Sequence, residues 1–218
     1  MRLYLSSFRI GNCPDRLVAL ARGGRRAAVI ANATDVYPPD GRTEAVAREI
    51  EALTDLGFDA AELDLREYFD TSGVQDALRE HDLIWVRGGD VFTLRYTLAR
   101  SGADIALIEL LAEDEVAYGG YSAGPCVLGP SLVGLDEVDN PAWVKSLYGA
   151  DPIFDGLGVL DYCIVPHVGT PEHPESAACE RLAERYRREG TPHKAIRDGQ
   201  VLIVDGETTS VVTRPQPG

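Results

Sequence analysis

The stretch Val116–Pro130, reading VAYGGYSAGPCVLGP, constrains the fold more than any other part of the chain. A short apolar run meets small residues, then Ser122, then small and apolar residues able to begin a helix. Gly120-Tyr121-Ser122-Ala123-Gly124 fits the pattern G-x-S-x-G, in which a serine sits on a sharp strand-to-helix turn with its hydroxyl lifted above a sheet. Glycine is needed on either side because a side chain there would crowd the backbone turning beneath the serine. The N–H that follows the serine has no intrahelical acceptor and can face a developing oxyanion. The plainer reading is a Gly-rich turn that merely packs tightly, but the flanking strand and helix patterns favour a nucleophile.

The chain leading to this turn alternates strand-like and helix-like segments. Strands are expected over Arg2–Phe8, Arg26–Ala31, Phe58–Leu65 and Asp82–Val86, and helices over Pro14–Ala21, Thr43–Leu56, Val74–Leu78, Val91–Ala99 and Ile105–Leu111. Such alternation implies βαβ units and a three-layer α/β fold, a mostly parallel sheet with helices on both faces. Ligands collect at the carboxyl ends of strands in such sheets. Arg87-Gly88-Gly89-Asp90 and the Ser122 turn both fall at such ends, and Asp90 is placed to cap the helix that follows.

Beyond the turn the pattern changes. Ser131–Gly156 is rich in Asp, Pro and Gly and reads as a long connection with little regular structure, of a length usually functional or mobile. Leu157–Val165 is apolar again and delivers Pro166-His167. An amphipathic helix is expected over Glu172–Arg188, then short strands over Lys194–Ile196, Gln200–Val204 and Thr208–Thr213, with a turn at Asp205-Gly206 and a frayed tail.

A chain of 218 residues supports one substantial core, so a single domain over 1–218 is expected. The net charge of −14 argues against nucleic-acid and anionic-membrane partners, which require a basic face. Cys13, Cys126, Cys163 and Cys179 are scattered without a C-x-x-C pair and read as free thiols of a reducing compartment. The N-terminal apolar stretch is too short for a signal peptide, and a cytoplasmic location is the expectation. No H-E-x-x-H or clustered Cys/His spacing points to a metal, and no cofactor motif is present.

A serine nucleophile needs a base within hydrogen-bond reach. Of the four histidines, His81 precedes a strand at the opposite end, His193 lies in a polar turn, and His173 sits at a helix start suited to a structural role. His167 directly follows an apolar strand and so stands on the same rim as Ser122. The base in turn needs a carboxylate to fix its tautomer. Asp136, Glu137, Asp139, Glu172 and Glu175 are candidates that spacing alone does not separate. Gly88 and Gly89 can supply a second oxyanion donor beside Ala123. Phosphate binding at that turn is disfavoured, because G-x-G-x-x-G is absent and Asp90 would repel the anion.

GGYSAG, preceded by RGGDVF and followed by VPH and HPES, resembles the peptidase E family of aspartyl dipeptidases, serine peptidases with a class I glutamine amidotransferase-like, flavodoxin-like fold. The resemblance runs along most of the chain. It implies Ser122 as nucleophile, His167 as base and, from a D-x-P context matched by Asp139-Asn140-Pro141, Asp139 as the catalytic acid with Asp136 behind it. Gly88, Gly89 and Ala123 match the family's oxyanion region, and Asp90 falls in its substrate-binding region. Two departures stand out. Asp90 replaces a usual asparagine, and its charge would disfavour an acidic substrate side chain. Pro125 replaces a common alanine, which the first turn of a helix tolerates.

The expected activity is hydrolysis of small peptides, dipeptides above all and N-terminal Asp-X among them, through a Ser-His-Asp triad and an acyl-enzyme. The alternatives are an esterase or β-aspartyl hydrolase with the same triad, and a non-catalytic module that binds a small molecule or a protein. A glutamine amidotransferase is disfavoured because its nucleophile is a cysteine and Cys126 reads as buried. The expected partner is a small peptide substrate, and the chain is read as a monomer or homodimer.

Overall fold

In the computed structural model, which describes residues 1–213, the chain alternates strand and helix as far as Ser122 and then departs from that rhythm. Five strands run parallel: β1 (Arg2–Ser6), β2 (Arg26–Ile30), β3 (Asp59–Glu62), β4 (Leu83–Val86) and β5 (Ala117–Tyr121). They lie in the order β3-β2-β4-β5-β1, and the antiparallel pair β8 (Val201–Asp205) and β9 (Thr208–Val212) extends the sheet beyond β1. A separate parallel pair is formed by β6 (Cys163–Val165) and β7 (His193–Ala195).

Side chains alternate across each strand, and both faces of the large sheet are apolar over its inner strands. Tyr4, Ala27, Val29, Leu83 and Trp85 point to one side and pack under α1 (Pro14–Leu20) and α2 (Pro39–Asp55). Leu3, Leu5, Ile30, Ile84, Val86 and Tyr118 point to the other. That second face is covered by α3 (Val74–Arg79), α4 (Val91–Ser101), α5 (Ala103–Ala112), the short α6 (Ala123–Cys126) and α8 (Ser176–Glu189). The result is the expected three-layer α/β fold. Strands buried on both sides explain why their sequences are runs of apolar residues rather than alternating ones.

Register brings the functional segments to one rim. Ser6 lies opposite Tyr121, and Val86 opposite Gly120, so the residues after β1, β4 and β5 emerge together. Cys163 pairs with His193 and Val165 with Ala195, so the residues following β6 and β7 also leave side by side.

The segment 131–156 corrects the expectation of an irregular connection. It holds a 3-10 turn at Leu135–Glu137 and a helix, α7 (Ala142–Tyr148). Only Val144 of α7 is buried, and Trp143 and Leu147 face outward, so the sequence lacks the apolar stripe that marks a helix. The helix is held at its end instead, where Tyr148 Oη donates to Asp35 (2.7 Å) and its ring stacks on Tyr96. The apolar stretch from Leu157 is likewise mostly irregular, with strand structure only from Cys163. The expected frayed tail, 214–218, lies outside the described residues.

Candidate active site

Ser122 stands between β5 and α6 with φ 52° and ψ −110°, a conformation L-residues adopt only when their surroundings impose it. The imposing contacts are visible. A Cβ on Gly120 would lie 2.5 Å from the Val86 carbonyl oxygen, and one on Gly124 2.6 Å from the same atom. Any side chain at either position would drive β5 or α6 away from the end of β4 and release the turn. The hydroxyl faces a cavity of about 210 Å³ lined by Gly88, Gly89, Tyr121, His167, His173 and Glu175 among others.

The Gly88-Gly89 turn closes one side of this cavity. A Cβ on Gly88 would meet Ser122 Cβ at 2.9 Å, and one on Gly89, whose φ is 148°, would meet the Ala33 carbonyl oxygen at 2.5 Å. Neither glycine N–H donates to a protein acceptor among the described residues. Arg87 fixes this turn from beneath, its Nη1 donating to the Gly88 carbonyl (2.7 Å) and its Nε lying 3.4 Å from Glu49. Glu49 is buried and also accepts from Trp85 Nε1 (2.9 Å) and Tyr121 Oη (2.8 Å). Because the C=O and N–H of one peptide point in opposite directions, holding the Gly88 carbonyl also orients the Gly89 N–H.

His167 is buried, with φ 60°, and its Nδ1 lies 2.7 Å from Asp198 Oδ1. A carboxylate acceptor on Nδ1 places the proton there and leaves Nε2 as the basic nitrogen. Ser7, just beyond β1, ties both partners down: its hydroxyl donates to Asp198 (2.7 Å) and accepts the His167 backbone N–H (2.8 Å). Desolvation pulls the His167 pKa below the ordinary 6.5, and the hydrogen bond and charge of Asp198 only partly oppose it. The imidazole is therefore neutral, and able to accept a proton, at pH 7.

The carboxylate on the imidazole corrects the sequence reading, which selected Asp139. Asp139 instead accepts the Val91 N–H at the start of α4 (3.0 Å), while Asp90 accepts from Thr93 (2.7 Å) and from the Asn140 N–H (3.1 Å). The two carboxylates lace α4 to the 135–141 segment and make no bond to His167. Burial drives the Asp139 pKa up to about 8, with the charge of Asp90 adding to the rise. Asp90 caps α4 as expected, but it is buried in this clamp and does not line the cavity. Asp136 accepts from the Gly134 N–H, Glu137 pairs with Arg185, and Glu172 is exposed. Sequence reasoning missed Asp198 because Arg197-Asp198-Gly199 reads as an ordinary turn. The strand before this turn, β7, reads His-Lys-Ala and is only part-buried, so nothing in the local pattern marks the turn.

His81 and His193 lie away from the cavity. His81 Nδ1 lies 2.9 Å from the Ala77 carbonyl and His193 Nδ1 2.9 Å from that of Thr191. All four cysteines are free and buried, and desolvation pushes the Cys126 thiol far above its ordinary pKa, unlike a nucleophilic thiolate. His167, His173 and Glu175 bring ligand-type atoms within 4.8 Å of one another. The two imidazoles, however, stack face to face, with centroids 3.6 Å apart and planes 2° from parallel. An ion bound by both must lie in the plane of each ring, and parallel planes share no point, so the trio does not form a metal site as arranged.

With this geometry in place, comparison with known proteins is decisive for the family. The model of peptidase family S51 matches residues 12–212, a span that includes Ser122, His167 and Asp198. The chain belongs to peptidase family S51. It is 29% identical to an uncharacterized peptidase of Listeria innocua over 158 residues, covering 72% of this chain and 71% of that one. It is also 29% identical to peptidase E of Streptomyces coelicolor, over 74% of this chain and 62% of the relative. A Drosophila melanogaster protein named "Probable alpha-aspartyl dipeptidase" matches at 29% over 61% of this chain and 54% of its own length. A solved Listeria monocytogenes protein, assigned provisionally to peptidase E, superposes with a TM-score of 0.76 at 23% identity, covering 98% of both chains. The S51 assignment makes the chain a peptidase, and the structural likeness supports the fold. Among the described residues, no helix is long and apolar enough to cross a membrane.

Proposed function

We propose that this S51 peptidase is a serine hydrolase of small peptides in which Ser122 is the nucleophile, His167 the general base and Asp198 the orienting carboxylate. The observation that carries the reading is the Asp198–His167 hydrogen bond. It commits Nδ1 and leaves Nε2 free on the cavity that Ser122 also lines. His167 takes the Ser122 proton as Oγ attacks the peptide carbonyl. The resulting oxyanion is held by the N–H of Ala123, first in α6, together with those of the Gly88-Gly89 turn. Collapse of the tetrahedral intermediate breaks the C–N bond, and His167 passes its proton to the leaving amine. A water molecule then attacks the acyl ester, giving its proton to His167, and the Ser122 hydroxyl is restored.

A dipeptide is the substrate that suits a cavity of this size, and the names of the S51 relatives point the same way. Replacing Ser122 with Ala is expected to abolish dipeptide hydrolysis and labelling by a fluorophosphonate while leaving the thermal melt unchanged. Retained turnover in that variant overturns the assignment. An unlabelled serine in the natural chain would favour a non-catalytic binding module, and turnover confined to esters or β-aspartyl bonds would favour a different hydrolase.

A further inference from the structure

A second cavity, of about 360 Å³, adjoins the first and shares Phe8, Arg9, Arg48 and Glu49 with it. Beyond that common wall it is lined by Ile10, Asn12, Ala52 and Gly199, a largely uncharged surface. The Phe8-Arg9 tip divides the two. Phe8 packs edge-on against His167, His173 and Tyr121, and Arg9 lies over the Phe8 ring.

Pairing off the charges around these cavities leaves a simple remainder. Glu49 is committed to Arg87, Trp85 and Tyr121, and Arg48 pairs with Glu44 (2.8 Å). Arg9 stacks on Phe8 and makes no hydrogen bond or ion pair among the described residues. Glu175 makes no ion pair with an arginine or lysine among the described residues, and its Oε2 lies 3.9 Å from Nε2 of the neutral His167. One unspent cation and one unspent anion thus face a shared space, and the ligand that satisfies both is a zwitterion. Their order is informative. Glu175 sits beside Nε2, next to the carbon that Ser122 attacks, and the α-ammonium of a free amino-terminal residue lies only two bonds from that carbon. Arg9 stands at the entrance to the second cavity, where the residue beyond the cut would lie.

We infer that Glu175 and Arg9 read the two ends of the substrate, Glu175 the free α-ammonium and Arg9 the free carboxylate, with the second cavity seating an apolar side chain of the leaving residue. This inference rests on the peptidase reading above and assigns its substrate as an unblocked dipeptide with an apolar second residue. Both readers lie outside the triad, so they tune selection rather than chemistry.

Calorimetric titration of the Ser122→Ala protein tests this without turnover. The probes are Ala-Leu, its N-acetyl form, its C-terminal amide, and Ala-Asp. Ala-Leu is expected to bind at least tenfold more tightly than each of the other three. Adding Glu175→Gln should erase the acetyl penalty alone, and Arg9→Gln the amide penalty alone, while Glu175→Asp, which keeps the charge, preserves the former. Equal binding of blocked and free forms, no binding of Ala-Leu, or a penalty that survives its own substitution would overturn the inference. Fluorophosphonate labelling of the unsubstituted protein separates the two levels. Labelled Ser122 without end discrimination sinks this inference and leaves the peptidase reading standing, whereas absent labelling sinks that reading and leaves the binding data to decide this one.

Discussion

At residue scale, the proposed chemistry turns on which of two aspartates meets the imidazole. Asp198 meets the imidazole, so Asp198→Asn should lower kcat/KM by roughly 10²–10⁴-fold through the wrong tautomer, with the fold intact. Asp139→Asn makes no such contact and should leave the pH–rate profile in place. Because desolvation holds the His167 pKa below 6.5, the acid limb of kcat/KM should fall below that value. The base is neutral and active above its folded pKa and is lost as pH drops through it. An acid limb clearly above 6.5 in a kcat/KM profile would show that another group controls the step. The serine was legible in the sequence because its strain needs glycines at fixed offsets, and the histidine because it ends an apolar run. The acid was not, since an aspartate in a polar turn carries no mark of the imidazole it will meet.

Elements place these groups, and here the glycines of the turn matter more than its serine. Gly120→Ala and Gly124→Ala should each destabilise the protein by about 1–3 kcal/mol, the cost of forcing atoms into a packed contact, and lower activity further by displacing Ser122. Equal losses of stability and activity, with no excess in activity, would argue against that positioning. The Asp90–Asp139 clamp joins α4 to the 135–141 segment with one acid held near pKa 8. At Asp139 the folded chain keeps a proton that the unfolded chain has lost between about pH 4 and pH 8. This group's contribution to stability falls as pH rises through that window and levels off above it. Asp139→Asn keeps an acceptor for Val91 and removes the charge, so it should raise Tm by several degrees at pH 9 and not at pH 4, a contrast calorimetry can read. Most strands follow from short apolar runs and most helices from apolar periodicity. The helix α7 does not, because what fixes it is a tyrosine hydroxyl on Asp35 rather than a buried stripe.

Across the whole molecule, the groups proposed for catalysis belong to two sheets: Ser122 and the Gly88-Gly89 turn to the large one, His167 and Asp198 to the β6–β7 pair. The alternation of segments predicted the large sheet, but strand order and the docking of a second sheet are long-range choices that local pattern does not encode. Ser7 is the stitch across this seam, with its hydroxyl on both members of the pair while its N–H donates to the Gln200 carbonyl. A catalytic centre assembled across a joint is only as durable as the joint. Mild denaturant should silence the enzyme before its helices melt, and Ser7→Ala should widen the gap between the two midpoints, as activity and circular dichroism followed through one urea titration would reveal.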